Sequence, residues 1–453
     1  MNVHAQWSSR RASGCNVWRL VCCAIALSGG LASSDGALMA ATPKGDGSRI
    51  RNAEAVLFWN EEALKTIRLA RTPPPLAALH LAAYHAAIFD SVNGLAPRYA
   101  PAVATDSAPQ GLSMEVTVAA SAHEVLQALW GQAANPANFR LAFERAVRDA
   151  AVDEATARSS EEWGRRVARA VLASRANAGA AQPKPFTPVV EPGLWRPTPP
   201  QFRPAVMPQI AEVRPFVLPR AADFRSPPPP AFDSAEAVAD LRVVRRLGAR
   251  DDAERTPEQT ASAPFFSDDL GTSTPPGRWN AIAQQAVRLR GLDALSAARL
   301  FALMNFAIAD GGIVCWETKY TYRTWRPESA IREGVRAADG SWALEPDPHW
   351  IPLMGSPAHP DYISGHGTFS GAGARMLALV LGSDELTIAL DSDGLPGVVR
   401  TFASFSACAE AIADSRLFGG IHTPTANRVA LETGRKIADY VFAHALLPRE
   451  GTR

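Results

Sequence analysis

Three clusters of polar residues interrupt an otherwise apolar, alanine-rich segment between Cys315 and Thr425. The first is Trp316 and Lys319, followed after six residues by Arg326-Pro327; the second is His359 with Ser364-Gly365-His366; the third is Ser415-Arg416, followed after five residues by His422. A lysine supplies a point charge and an arginine a planar fork of N–H donors that matches paired oxygens. Histidine can ligate a metal, attack phosphorus or pass protons near neutral pH. Three fixed cations, two histidines and a Ser-Gly turn are the parts needed to hold one tetrahedral oxyanion. To use them together, the chain must fold so that residues about a hundred positions apart meet between helices.

The sequence around each cluster predicts helix ends. Ser364 precedes a Gly/Ala/Leu-rich run from Gly367 to Leu381 that stops near Gly382, so Ser364 is read as an N-cap with Gly365 and His366 in the first turn. Free N–H groups and the positive end of the helix dipole favour an anion there. Gly419-Gly420 ends the preceding helix, and Thr423-Pro424 reads as an N-cap followed by proline at the first helical position. His422 is thereby placed at the mouth of another helix. Lys319 and Arg326 are seven apart, and a continuous helix would set them on one face roughly 10 Å apart. Pro327 disfavours helical geometry at Arg326, so a break at that point is the alternative.

In this order and at these spacings, the clusters resemble the motif set of the vanadium-dependent haloperoxidases and the related type-2 phosphatidic-acid and acid phosphatases. The resemblance extends to the segment Pro74–Asp90, to Pro192-Gly193-Leu194-Trp195, to Pro215-Phe216 and to Trp279-Asn280, and so spans most of the chain. The smaller phosphatases usually lack such a long N-terminal half, so the resemblance points to the bacterial haloperoxidase branch. It implies an all-α fold of helical bundles and vanadate as cofactor. It also implies His422 as the vanadium ligand, with Lys319, Arg326, Arg416, Ser364 and the Gly365 N–H neutralising the oxyanion. His366 would be the acid–base residue, so His366, His422, Lys319 and Arg416 form the catalytic set, with Trp316 and His359 as secondary members. The substrates implied are hydrogen peroxide, a halide and a small organic acceptor. The alternative is a secreted acid phosphatase with His422 as nucleophile and His366 as general acid.

Two positions depart from the family pattern. Ile363 stands where proline usually precedes Ser-Gly-His. Ala426 stands where many relatives carry an aspartate four residues after the last histidine, which leaves His422 without an evident orienting carboxylate. His359, five residues before Ser364, matches bromide-oxidising algal members, whereas chloride-oxidising fungal members carry phenylalanine; bromide or iodide is therefore expected over chloride. Its alternative role is to cap a His-Pro-Asp-Tyr turn. Asp310 is a candidate for holding a site arginine, or else an ordinary surface aspartate.

The rest of the chain supplies scaffold. With 46 basic and 45 acidic residues there is no charge excess to attract nucleic acid or an acidic membrane surface. Residues 1–41 read as an export signal, with Arg10-Arg11 and Arg19 before the short apolar stretch Leu20–Leu27, so a periplasmic or secreted location is expected. Residues 42–453 read as one all-helical domain with its active-site region at 310–430 and no stable membrane span; a homo-oligomer is compatible with this. The proline-rich stretch 182–230 carries enough aromatics (Phe186, Trp195, Phe202, Phe216, Phe224) to read as a strap packed on the body. Residues 337–361 read as a loop roofing the pocket, and 398–417 as a helix. His80, His85 and His123 lie in apolar helical runs and read as structural; Cys315 and Cys408 read as buried free thiols.

Overall fold

The computed structural model describes residues 53–449 except residue 252, so the expected export signal lies outside the described residues. Helices begin where the sequence supplies caps. Side chains of Ser113, Asp153, Ser234, Thr256, Asp293, Ser364, Ser404 and Thr423 each accept a hydrogen bond from a backbone N–H two or three residues into the helix that follows. Thr256 and Gln259 form a reciprocal capping box.

The N-terminal half is built from α1 (Glu54–Ala70), α2 (Pro74–Leu95), α3 (Met114–Trp130), α4 (Pro136–Asp149) and α5 (Glu154–Arg175). The C-terminal half contains α6 (Ala235–Leu247), α7 (Pro257–Phe265), α8 (Thr274–Arg290), α9 (Ala294–Tyr322) and α10 (Pro327–Glu333). It continues with α11 (Gly365–Leu381), α12 (Phe405–Phe418) and α13 (Pro424–His444). The fold class is all-α, as the sequence implies. Helix α9 is the axis: it packs on α2 of the first half and on α11 and α13 of the second. Its composition would suit a membrane span, but 94% of that apolar window is buried inside the protein, which marks it as a core helix hydrophobic all round.

Two short antiparallel hairpins correct the sequence reading. β1 (Val335–Arg336) pairs with β2 (Trp342–Leu344) inside the expected roof loop, and β3 (Glu385–Leu390) pairs with β4 (Arg400–Ser404) where a helix was expected to start at 398. Alternation explains the second: Ile388 and Leu390 face the core while Glu385, Thr387 and Ala389 lie outward or at its edge. The turn at 391–397 then joins the two strands, and α12 begins only at Phe405.

The proline-rich stretch has no α-helix, only short 3-10 turns at Pro208–Glu212 and Ala221–Phe224. It is tied to the body at several points. Trp195 N–H donates to Arg323 O at 2.6 Å, Val206 N–H to Ala358 O at 2.8 Å, and Trp316 Nε1–H to Val206 O at 3.2 Å. Asp310 supplies the deepest tie: its buried carboxylate accepts the N–H groups of Phe216, Val217 and Leu218 at 2.6–3.0 Å. The sequence reading of Asp310 is thus corrected. It holds backbone of the strap, and it is neither a surface residue nor the partner of a site arginine.

Candidate active site

Helix α9 turns out of helical geometry at Arg323, which sits in the left-handed region. Arg326 then takes extended geometry as the N-cap residue of α10, so the break before Pro327 is the alternative the chain adopts. The break swings the Arg326 guanidinium into the protein, where it is fully buried. Its Nε–H donates to His359 O at 2.7 Å and its Nη1–H to Ile421 O at 2.8 Å. Nη1 also lies 3.3 Å from His422 Nε2, and Nη2 lies 2.9 Å from His359 Nδ1. One arginine therefore joins all three sequence clusters.

Lys319, on the last turn of α9, donates to Pro360 O at 2.6 Å and Asp361 O at 2.9 Å. Ser364 caps α11 through Gly367 N–H, and its own N–H donates to Ala426 O at 3.1 Å, which ties the mouth of α11 to the first turn of α13. Trp316 closes one wall: its ring is 5.0 Å from the His359 ring, and a Cβ placed on Gly365 would lie 3.5 Å from it. Arg416 and His366 reach the group through adjacent carbonyls. Arg416 Nη1–H donates to Phe266 O at 3.1 Å, and His366 Nε2 lies 3.2 Å from Ser267 O. A carbonyl only accepts, so Nε2 of His366 carries the proton and Nδ1 is left with its lone pair.

Gly420 makes the placement of His422 feasible. Its φ is +75°, and a Cβ there would stand 2.4 Å from Gly248 O, so only glycine lets the chain pass α6 at this point. Thr423 then caps α13 with Pro424 at its first position, as read from the sequence.

Sequence reasoning missed one residue. Asp361 Oδ1 lies 2.6 Å from His422 Nδ1, and its Oδ2 accepts from Thr423 Oγ1–H at 3.2 Å. The expectation that Ala426 leaves His422 without an orienting carboxylate is therefore wrong. The carboxylate arrives from the loop before α11 instead of the helix after His422. The sequence offered only its place in the loop His359-Pro360-Asp361-Tyr362, with nothing to pair it with His422.

Burial dominates the electrostatics. It brings Lys319 down to about 7 and Arg326 and Arg416 to about 10. Burial and then the Arg326 charge hold His359 and His422 well below the ordinary imidazole value; for His366 the second cause is Arg416. Burial lifts Asp361 to about 6. His422 is consequently neutral, donates Nδ1–H to Asp361, and presents a bare Nε2 toward Arg326.

This donor set suits an anion. Among the described residues no three His, Cys, Asp or Glu side chains converge to hold a bare metal ion. Arg416 Nε, in contrast, is buried without any hydrogen-bond partner. A buried N–H left unpaired costs about 1–3 kcal/mol, and an oxyanion would supply its acceptor.

A lysine, two arginines and a helix N-terminus gathered around a neutral, carboxylate-oriented histidine give this all-α protein the parts of an oxyanion site. The family model described as the VCPO second helical-bundle domain matches residues 299–451. The vanadium chloroperoxidase of Curvularia inaequalis is 27% identical over 417 residues, covering 74% of this chain and 67% of that protein. A solved bacterial vanadium-dependent iodoperoxidase superposes with a TM-score of 0.75 at 25% identity, covering 88% of this chain and 98% of its own. The holo form of a bacterial vanadium-dependent chloroperoxidase shares the fold, with a TM-score of 0.64 at 18% identity over 85% of this chain and 95% of its own.

By these matches the chain resembles the vanadium haloperoxidases, in its C-terminal helical bundle by sequence and over most of its length by fold. At that level it is an oxidoreductase of the peroxidase class, and vanadate is the oxyanion that its relatives imply.

Proposed function

We propose that the protein is a vanadate-dependent haloperoxidase that uses hydrogen peroxide to oxidise bromide or iodide in preference to chloride, for transfer to a small organic acceptor. The observation that carries this reading is the unpartnered Arg416 Nε in a buried site already rich in N–H donors. When bound, vanadate supplies a Lewis-acidic centre that renders a peroxide oxygen electrophilic toward halide. The neutral Nε2 of His422 would hold it, with Asp361 keeping that imidazole in the tautomer required. Lys319, Arg326, Arg416 and the first-turn N–H groups after Ser364 hold the oxyanion and draw charge from it. An anion at this place raises the proton affinity of Lys319, which burial, joined by the Arg326 charge, holds near neutrality.

His366 moves the proton. With Nε2–H fixed on Ser267 O, its free Nδ1 would serve as the acid–base group that takes up and gives back the peroxide proton. The overall reaction balances as halide plus hydrogen peroxide plus one proton, giving hypohalous acid and water. His359 is the residue proposed to set halide choice. It is neutral, its Nδ1 faces Arg326 Nη2, and its ring faces Trp316, so it places a polar edge beside the anion where phenylalanine would place none.

The test is peroxide-dependent oxidation of iodide, bromide and chloride with vanadate present, beside phosphate-ester hydrolysis without it. The expected result is turnover with iodide and bromide, little with chloride, and loss of both turnover and vanadate binding in His422→Ala. Phosphatase turnover in place of halide oxidation would overturn the reading. That comparison is needed because the Asp361–His422 pair would equally orient a nucleophilic histidine. Efficient chloride oxidation that does not change in His359→Phe would remove His359 from halide choice. We also propose export of the protein, on the basic-then-apolar character of residues 1–41; recovery in the cytosolic fraction of expressing cells would count against it.

A further inference from the structure

A second cavity, of about 360 Å³, lies between the ends of α5 and α13, the loop that follows α2, and the strap at Arg214–Val217. Its floor is apolar: Phe216 and Phe306 stack with centroids 5.5 Å apart. Its charge is cationic. Arg175 lies over the Phe216 ring at 3.9 Å and donates to Pro215 O at 3.0 Å and to Arg214 O; Arg214 donates in return to Ser174 O. The two guanidiniums are thus fixed by backbone carbonyls, and among the described residues no carboxylate forms an ion pair with either. The acid whose charge reaches Arg175 is Asp310, and it makes no hydrogen bond to the guanidinium. Asp310 is bound to three N–H groups of the strap, and Asp90 to those of Ala102, Val103 and Ala104. Burial, and after it the like charge of Arg214, brings Arg175 down to about 10 against the opposing charge of Asp310; a bound anion would relieve the Arg175–Arg214 repulsion.

We infer that this cavity is a binding site for a small organic anion with a flat apolar body, of the class of an aromatic carboxylate. The guanidiniums take the carboxylate and the stacked phenylalanines take the ring. The site is separate from the oxyanion pocket: Phe306 in its lining stands thirteen residues before Lys319 on α9, roughly 20 Å along the axis. It therefore does not depend on the haloperoxidase reading.

The test is titration of the full chain with benzoate, followed by calorimetry or ligand-observed NMR, with benzyl alcohol as the uncharged match and with vanadate absent or saturating. Saturable benzoate binding is expected, indifferent to vanadate and about tenfold tighter than that of benzyl alcohol, since a charge-assisted pair is lost in the alcohol. Arg214→Gln is expected to weaken it about as much, with halide turnover unchanged; its side chain is exposed and serves the fold only through Ser174 O. Val103→Trp, at the exposed edge of the cavity, is expected to block binding by filling it. No saturable binding, displacement of benzoate by vanadate, or binding unaffected by both substitutions would each overturn the inference.

Discussion

Each side chain of the candidate site makes contacts that fix its protonation as well as its place. His422 shows this best. Deep burial beside Arg326 and Lys319 keeps the ring neutral, and Asp361 fixes the proton on Nδ1. Replacing Asp361 with alanine should lower vanadate affinity about 10- to 100-fold, the usual effect of removing a carboxylate behind a metal-ligating histidine. Asp361→Asn should recover part of this, because an amide oxygen can still accept from Nδ1–H. Vanadate titration of both variants checks the point, and wild-type affinity in Asp361→Ala would exclude the role. At this scale much was legible in the sequence: Arg326, Ser364, His366 and His422 each sit beside a cap, a proline or a glycine that marks a helix end, and Lys319 and Arg416 carry the spacing to Arg326 and His422. Asp361 was not legible. Its partner is 61 positions away, and only the three-dimensional path of the loop between α10 and α11 brings the two together.

The same division holds for elements. Helix starts follow from local chemistry, so Ser364 and Thr423 could be assigned as caps from sequence. The β3–β4 hairpin was missed because its strands are short and lie in alanine-rich surroundings, where helix propensity and alternation compete. Closeness between helices is also hidden from sequence reading. α11 and α13 pack so tightly that a Cβ on Gly371 would stand 2.3 Å from Leu431 O, and one on Gly434 would stand 2.3 Å from Thr368 O. Both obstacles are backbone atoms, which cannot rotate away as a side chain would. Because these two helices carry Ser364 at one mouth and Thr423, next to His422, at the other, their spacing sets the width of the site. Gly434→Ala should therefore cost about 1–3 kcal/mol of stability by overpacking, and should lower turnover by displacing His422 relative to Ser364. Urea denaturation and steady-state rates measure the two effects; a variant as stable and as active as wild type would mean that the helices can separate freely.

Across the whole molecule, stability should carry the mark of neutral histidines held in both halves of the fold. Burial brings His80 down to about 4 and His85 to about 3 in the N-terminal half, while His359, His366 and His422 are held well below the ordinary value in the site. For each, the unfolded chain takes up a proton near pH 6.5 and the folded chain does not. Stability is therefore present above pH 6.5 and lost as pH falls toward the folded value. Asp310 and Asp361 act in the opposite sense. Burial lifts both to about 6, so the folded state takes up their protons first and their contribution grows as pH falls below 6. The raw pH profile mixes the two signs, so a difference measurement on one group is the informative one. His85 suits it: it is fully buried, its Nε2 lies 3.0 Å from Asn60 Oδ1, its Nδ1 has no partner, and it stacks on Phe301 far from the site chemistry. Glutamine at position 85 can keep the bond to Asn60 without a titrating ring. Wild type should lose stability relative to His85→Gln by on the order of 1 kcal/mol per pH unit between about pH 6 and 4.5, from the linkage of one proton. Urea midpoints of the two proteins across that range decide it: parallel pH profiles would mean that His85 is protonated in the folded protein, and that Asn60 and Phe301 tolerate an imidazolium between them.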